Sequence, residues 1–191
     1  MNHQSAAGAK SELRQSLTLA RNLARQLPEN TKDSQFASNL RQLCLQQSAR
    51  VVACYLSFGP EPSTLGFLKW AHQNQLRVLL PISLSDGELN WVESNGEETR
   101  EGIFGFAEAV GPIAELSNAD LILVPALAVD RSGNRLGKGK GYYDRALANA
   151  SSTPTYAVVF DSEVIDQIPA EIHDVKISGF VTESRIVPVA I

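Results

Sequence analysis

The sequence predicts an α/β fold on a mostly parallel sheet covered on both faces. Three observations carry that reading. Short apolar runs alternate with segments of helical period along the chain. The runs are continuously apolar, as in strands buried on both faces, and do not alternate with period two. The length of 191 residues is that of one compact domain, residues 1–191, able to bury roughly 70% of its unfolded surface without a disulfide or metal staple.

Taken in order, Leu13, Leu17, Ala20, Ala24 and Leu27 recur at spacings of three and four, which predicts an amphipathic helix over residues 10–27, ending before Pro28. Phe36, Leu40 and Leu43 predict a second helix over 33–47. Residues 51–56 read as a buried strand, 57–64 as a turn-rich link and 65–74 as a helix. Trp70, at helical spacing from Phe67, reads as core. A strand follows at 77–81. Residues 85–101 are polar and turn-rich, with a short strand at 89–92. The run 121–124 is a strand closed by Pro125. A long loop leads into a helix over about 141–149. Further strands are expected at 155–160, 180–182 and 186–189.

Composition narrows the function. Hydrophobic residues make up 43% and charged residues 20%, values of a globular chain. The net charge of −4 argues against a general nucleic-acid partner, which requires a basic balance. Residues 130–145 depart from that average. Arg131, Arg135, Lys138, Lys140 and Arg145 face only Asp130 and Asp144, a local +3 that leaves −7 for the remainder. A cationic island in an anionic chain fits a small anionic ligand bound locally. Cys44 and Cys54 read as buried thiols of a reducing compartment. No apolar leader opens the chain and no run reaches the roughly 18–20 apolar residues needed to cross a bilayer, so a cytoplasmic location without membrane is expected.

The chemistry concentrates in the loop–helix segment 134–145, read as a site for ATP and Mg²⁺. Gly137, Gly139 and Gly141 alternate with Lys138 and Lys140. Glycine lets backbone N–H groups approach an anion closely, and the following helix aims its free N–H groups at the same point. The segment is not a Walker A loop. Gly133 and Gly137 enclose three residues instead of four, and Lys138 precedes glycine instead of Ser or Thr. Asp144 falls in the first helical turn, where it meets the one- or two-carboxylate requirement of nucleotide-bound Mg²⁺, or is simply favoured by the helix dipole. Tyr142 and Tyr143 are candidates to stack on a ring or to pack on the sheet, with packing preferred for Tyr143. His3, His72 and His173 are too scattered for a zinc site, and there is no convincing catalytic triad.

The stretch NRLGKGKGYYDR (134–145), preceded by Pro125 and Asp130, resembles the signature of the 5-formyltetrahydrofolate cyclo-ligase (methenyltetrahydrofolate synthetase) family. Three weaker features agree in order and spacing: Lys10 with Arg14, the run CYLS (54–57) followed by Glu61 and Thr64, and IPAEIHD (168–174) followed by Val181-Thr182-Glu183. Ala126 and Ala109 stand where the family usually has glycine and proline, respectively.

The resemblance implies a three-layer α/β/α fold and a reaction in which ATP and 5-formyltetrahydrofolate give ADP, phosphate and 5,10-methenyltetrahydrofolate. It places Lys10, Arg14, Arg135, Leu136, Gly137, Lys138, Gly139, Lys140, Gly141, Tyr142 and Tyr143 at ATP. It places Leu56, Glu61, Lys138, Gly139, Lys140, Gly141 and Tyr142 at the folate, and Asp144 and Asp174 at Mg²⁺. Arg135, Lys138 and Lys140 are the expected catalytic cations. By spacing alone, Lys10 and Arg14 are a solvated helix face and Glu61 a loop acid. Within the resemblance, Glu61 accepts a bidentate pair from the pterin edge, and Phe58 is a further candidate for that pocket. The expected partner is a small molecule, 5-formyltetrahydrofolate with or without a polyglutamate tail, bound by a monomer. A non-catalytic folate- or nucleotide-binding relative is the alternative. A sugar-phosphate isomerase is a third reading; it would need a poised base and no Mg·ATP.

Overall fold

A computed structural model describes residues 6–24, 30–171 and 174–189. The expected helix end at Leu27 and Pro28 lies outside the described residues, as do His3, Ile172 and His173. Four α-helices are described: α1 (Ala6–Ala24), α2 (Asn30–Gln46), α3 (Leu65–Gln73) and α4 (Tyr142–Ala148). The strands are β1 (Val51–Ala53), β2 (Arg77–Ser83), β3 (Leu89–Glu93), β4 (Thr99–Glu101), β5 (Ala107–Ala109), β6 (Ile113–Ala114) and β7 (Leu121–Pro125). They continue with β8 (Ala128–Asp130), β9 (Arg135–Leu136), β10 (Thr155–Val158), β11 (Val164–Ile165), β12 (Gly179–Val181) and β13 (Ile186–Pro188).

Eight strands form the main sheet in the order β13-β12-β10-β7-β1-β2-β3-β6. Its centre, β12-β10-β7-β1-β2, is parallel, and β13, β3 and β6 add antiparallel edges. The pleat of β7 explains the two covered faces. Leu121 and Leu123 join the core under α2 and α3, with Phe36, Leu40, Leu43 and Phe67. Ile122 and Val124 point the other way, into a second core with Leu147 of α4, Ile177 and Phe180. Each such fully buried side chain contributes roughly 1.5–3 kcal/mol. The three-layer α/β/α expectation holds.

Chain order reverses between β1 and β7. From β1 the chain steps to β2 on one side, then returns through β7 on the other. Loops beyond the carboxyl ends of strands at such a reversal are the usual ligand position in an open α/β sheet.

Two local expectations are corrected. The loop after Pro125 forms β8 and β9, which pair with β11 from beyond β10 in a small sheet, β11-β8-β9; it was not anticipated because its strands have only two or three residues each. Buried Asp130 stitches it together, accepting from Ser132 N, Asn134 N, Asn134 Nδ2 and Ile168 N at 2.7–3.0 Å. Helix α1 docks on this small sheet through Leu13 and Leu17. Beyond Leu17 the expected inner face fails, however: Ala20 and Ala24 are exposed, and the fully buried α1 residues are Lys10 and Arg21. Charge burial is possible there because carboxylates distant in sequence meet both cations. Arg21 Nε donates to Glu163 Oε1 at 2.6 Å and its terminal nitrogen to Ala126 O at 2.8 Å.

Candidate active site

A cavity of about 380 Å³ opens at the chain reversal, beyond the ends of β1, β2 and β7. The loop after β1 contributes Tyr55, Leu56, Phe58 and Glu61. Pro81 and Ser83 come from the end of β2, and Pro125 and Ala126 from the end of β7. The glycine–lysine turn, from Gly137 to Asp144, forms another wall with Arg135. The hairpin arm β4–β5 closes the remaining side with Phe104, Phe106 and Glu108.

The turn follows from its glycines. Gly139 and Gly141 take φ of +91° and +76°, a region that other L-residues enter only with strain. Gly139 lies against Arg14, whose Nε donates to Gly137 O at 3.0 Å. Gly141 caps α4, which starts one residue later than expected. Arg135 is held from both sides, donating to Pro125 O at 3.2 Å and to Asp144 Oδ1. Its Nε is buried with no hydrogen-bond partner among the described residues. An unsatisfied donor of this kind costs roughly 1–3 kcal/mol. On a cavity-lining cation it fits an anion-binding site.

The turn's lysines lean on aromatic faces. Lys138 Nζ is 4.2 Å from the Phe58 ring centre and 2.6 Å from Glu61 Oε1. Lys140 Nζ is 3.7 Å from the centre of Phe104. The Glu61 side chain is only 4% exposed, and its Oε2 accepts from Phe58 N at 3.1 Å. Phe58 in turn stacks on Phe106, centres 3.8 Å apart at 21°. Tyr142 sits edge-on to Phe104 and donates its hydroxyl to Leu84 O at 2.9 Å. Tyr143 both packs in the core and lines the cavity.

Phe104, Phe106 and Glu108 were not singled out in the sequence. The available signal was IFGF at 103–106, apolar and aromatic residues within a stretch whose glycines mark a turn. Phe104 and Phe106 are exposed large apolar side chains, a surface of the kind that marks a candidate binding face.

The remaining expected residues fall outside the cavity wall. Leu136 is buried in the small core with Leu127 and Ile168. Lys10 is 4% exposed. Its Nζ lies 2.6 Å from Asp174 Oδ2 and 2.8 Å from Glu171 Oε2, so the solvated-face reading of Lys10 does not hold. Burial opposes the charge of Lys10, but the two carboxylates outweigh it and raise its pKa. Asp144 and Asp174 therefore sit on different cations. Among the described residues no cluster of three or more His, Cys, Asp or Glu could hold a metal. A Mg²⁺ carried by nucleotide phosphates needs no such cluster, only one or two carboxylates. Asp144 meets that need, with a side chain 44% exposed, on the cavity wall, and one oxygen on Arg135.

Nucleophiles are scarce. Burial pushes the Cys44 thiol up to about 12 and the Cys54 thiol higher still. Burial likewise raises the phenols of Tyr55 and Tyr143, so both stay neutral. The cavity offers cations, carboxylates and aromatic faces, the equipment for positioning and charge stabilisation.

The model of the 5-formyltetrahydrofolate cyclo-ligase family matches residues 6–183. This chain belongs to that family. A cyclo-ligase of Mycolicibacterium smegmatis is 39% identical over 188 residues, 93% of this chain and 95% of that one. A cyclo-ligase of Escherichia coli K12 is 30% identical over 72% of this chain and 80% of its own. The solved Aquifex aeolicus 5,10-methenyltetrahydrofolate synthetase shares the cyclo-ligase fold with a TM-score of 0.81. Its identity is 27%, over 94% of this chain and 92% of that one. Among the described residues no helix is long and apolar enough to cross a membrane.

Proposed function

We propose that the chain catalyses the ATP- and Mg²⁺-dependent conversion of 5-formyltetrahydrofolate to 5,10-methenyltetrahydrofolate, releasing ADP and phosphate. The observation that carries this reading is the Lys138–Glu61 contact. It joins a turn suited to phosphate to a carboxylate and aromatic slot suited to a pterin, inside one cavity.

A formyl amide is a poor electrophile because nitrogen donates into its carbonyl. Transfer of the γ-phosphoryl group to the formyl oxygen removes that protection, and the N10 amine then closes the ring as phosphate leaves. Phosphoryl transfer needs alignment and charge compensation more than covalent help. Arg135, Lys138 and Lys140 supply the charge, and Gly137, Gly139 and Gly141 bring the backbone close. Tyr142 braces the turn on Leu84, while Leu136 and Tyr143 anchor it in the core. Arg14 supports the turn from behind, and Lys10 reaches the nucleotide by exchanging its bonds to Asp174 and Glu171. Asp144, with Asp174 once Lys10 moves, would hold Mg²⁺, which spreads phosphate charge when bound. Glu61 accepts the amino-imino edge of the pterin, whose ring lies between Leu56 and the aromatic residues.

On this reading residues 1–191 act as one catalytic unit, a cytoplasmic monomer working on a free or polyglutamylated folate. The test is spectrophotometric: methenyltetrahydrofolate absorbance should grow from 5-formyltetrahydrofolate with Mg·ATP and not without it. No product with Mg·ATP present removes the proposal.

A further inference from the structure

Three carboxylates line the cavity, and they differ in what they already hold. Glu61 is taken by Lys138 and by Phe58 N, and Asp144 by Arg135. Glu108, on β5, accepts a single bond at Oε1, from Ser83 N at 2.8 Å. Among the described residues no cation reaches it. Its carboxyl carbon lies 2.4 Å from where a Cβ on residue 102 would sit, so the glycine there leaves room for it. A carboxylate oriented by one backbone donor, with its second oxygen uncommitted, has the equipment to accept a proton.

On the function proposed above, the reaction has a proton to move. N10 enters the ring closure bearing a hydrogen and leaves it without one, while the formyl oxygen departs on phosphate. The turn's lysines and Arg135 compensate charge, the Tyr55 and Tyr143 phenols stay neutral, and Glu61 and Asp144 are engaged by cations. We propose that Glu108 is the proton acceptor for ring closure. As the N10 lone pair bonds to the activated formyl carbon, Glu108 takes the N10 proton. As the carbon–oxygen bond then breaks, Glu108 returns that proton to the departing phosphate oxygen. Hydrogen phosphate and the cationic methenyl bridge result, Glu108 is again a carboxylate, and no atom changes oxidation state.

The experiment is single-turnover rapid quench on the full chain with Mg·ATP and 5-formyltetrahydrofolate, following ADP and methenyl product separately. In Glu108→Gln, whose amide oxygen still accepts from Ser83 N, ADP should form within a few-fold of the wild-type rate. The methenyl product should slow on the order of 10²–10⁴-fold, the usual worth of a positioned acid–base group. Added formate should restore product formation in Glu108→Ala. Wild-type product rates in Glu108→Gln overturn the assignment. So does equal slowing of ADP and product in both variants without rescue by formate, which would make Glu108 a support for the arm. If the wild-type chain itself makes no product, the functional reading falls, whereas an active wild type with an unaffected Glu108→Gln removes only this inference.

Discussion

Lys138 Nζ and Glu61 Oε1 meet at 2.6 Å across 77 residues of sequence, and they tie the β1 loop to the glycine–lysine turn. The lysine is half exposed and the glutamate buried, so each is held for what it does to the other. The Glu61 charge fixes Lys138 over Phe58 before any ligand arrives.

Replacing Glu61 with Gln keeps its shape and removes one partner of a charge-assisted pair. Folate binding should weaken roughly 10- to 100-fold, the worth of about 1.5–3 kcal/mol for a hydrogen bond to a charged group. ATP affinity should persist. Calorimetric titration with each ligand separately checks this; a fall in ATP affinity instead would put the pterin in the wrong place.

Lys140 faces the cavity above Phe104. Its replacement by Ala should lower turnover on the order of 10²–10³-fold, the loss typical of one charge-stabilising donor, with folding unaffected. Steady-state rates beside a melting curve decide it, and an unchanged rate refutes the role.

How much of this was legible in advance differs by element. The glycine–lysine turn itself was, because its glycines and lysines are consecutive in sequence and the positive φ of Gly139 and Gly141 is a local property. The parallel centre of the sheet was as well, since runs such as Leu121–Pro125 are apolar on both faces. The face of α1 was only in part, through Leu13 and Leu17. Lys10 and Arg21 become interior only through Glu171, Asp174 and Glu163, more than 140 residues away. The aromatic arm escaped for a related reason, because Phe104 and Phe106 acquire meaning only when the arm folds over Phe58.

The Arg21–Glu163 pair has side chains only 3% and 7% exposed. Arg21→Met strands a buried carboxylate and should cost about 3–5 kcal/mol. Combining it with Glu163→Gln should recover part of that loss. Denaturant unfolding of both variants tests the coupling, and identical stabilities for the single and double variants would contradict it.

Asp130 gives a pH signature. Burial opposes its ionisation, but the bonds from Asn134, Ile168 and Ser132 outweigh burial and lower its pKa. A depressed folded pKa means stability that is present above the unfolded value of about 3.9 and lost as pH falls through the folded one. Asp130→Asn should cost roughly 1–3 kcal/mol at neutral pH. The gap to wild type should hold between about pH 7 and 5 and narrow below about pH 4. Unfolding midpoints across that range measure it; a gap that widens in acid would contradict the assignment.

A crystal structure with Mg²⁺ and a non-hydrolysable ATP analogue tests the central claim most directly. The triphosphate should lie in the turn between Gly137 and Tyr142, with Arg135 and Lys140 on its oxygens and the aromatic slot beside Glu61 still open. A triphosphate lodged away from that turn would contradict the account.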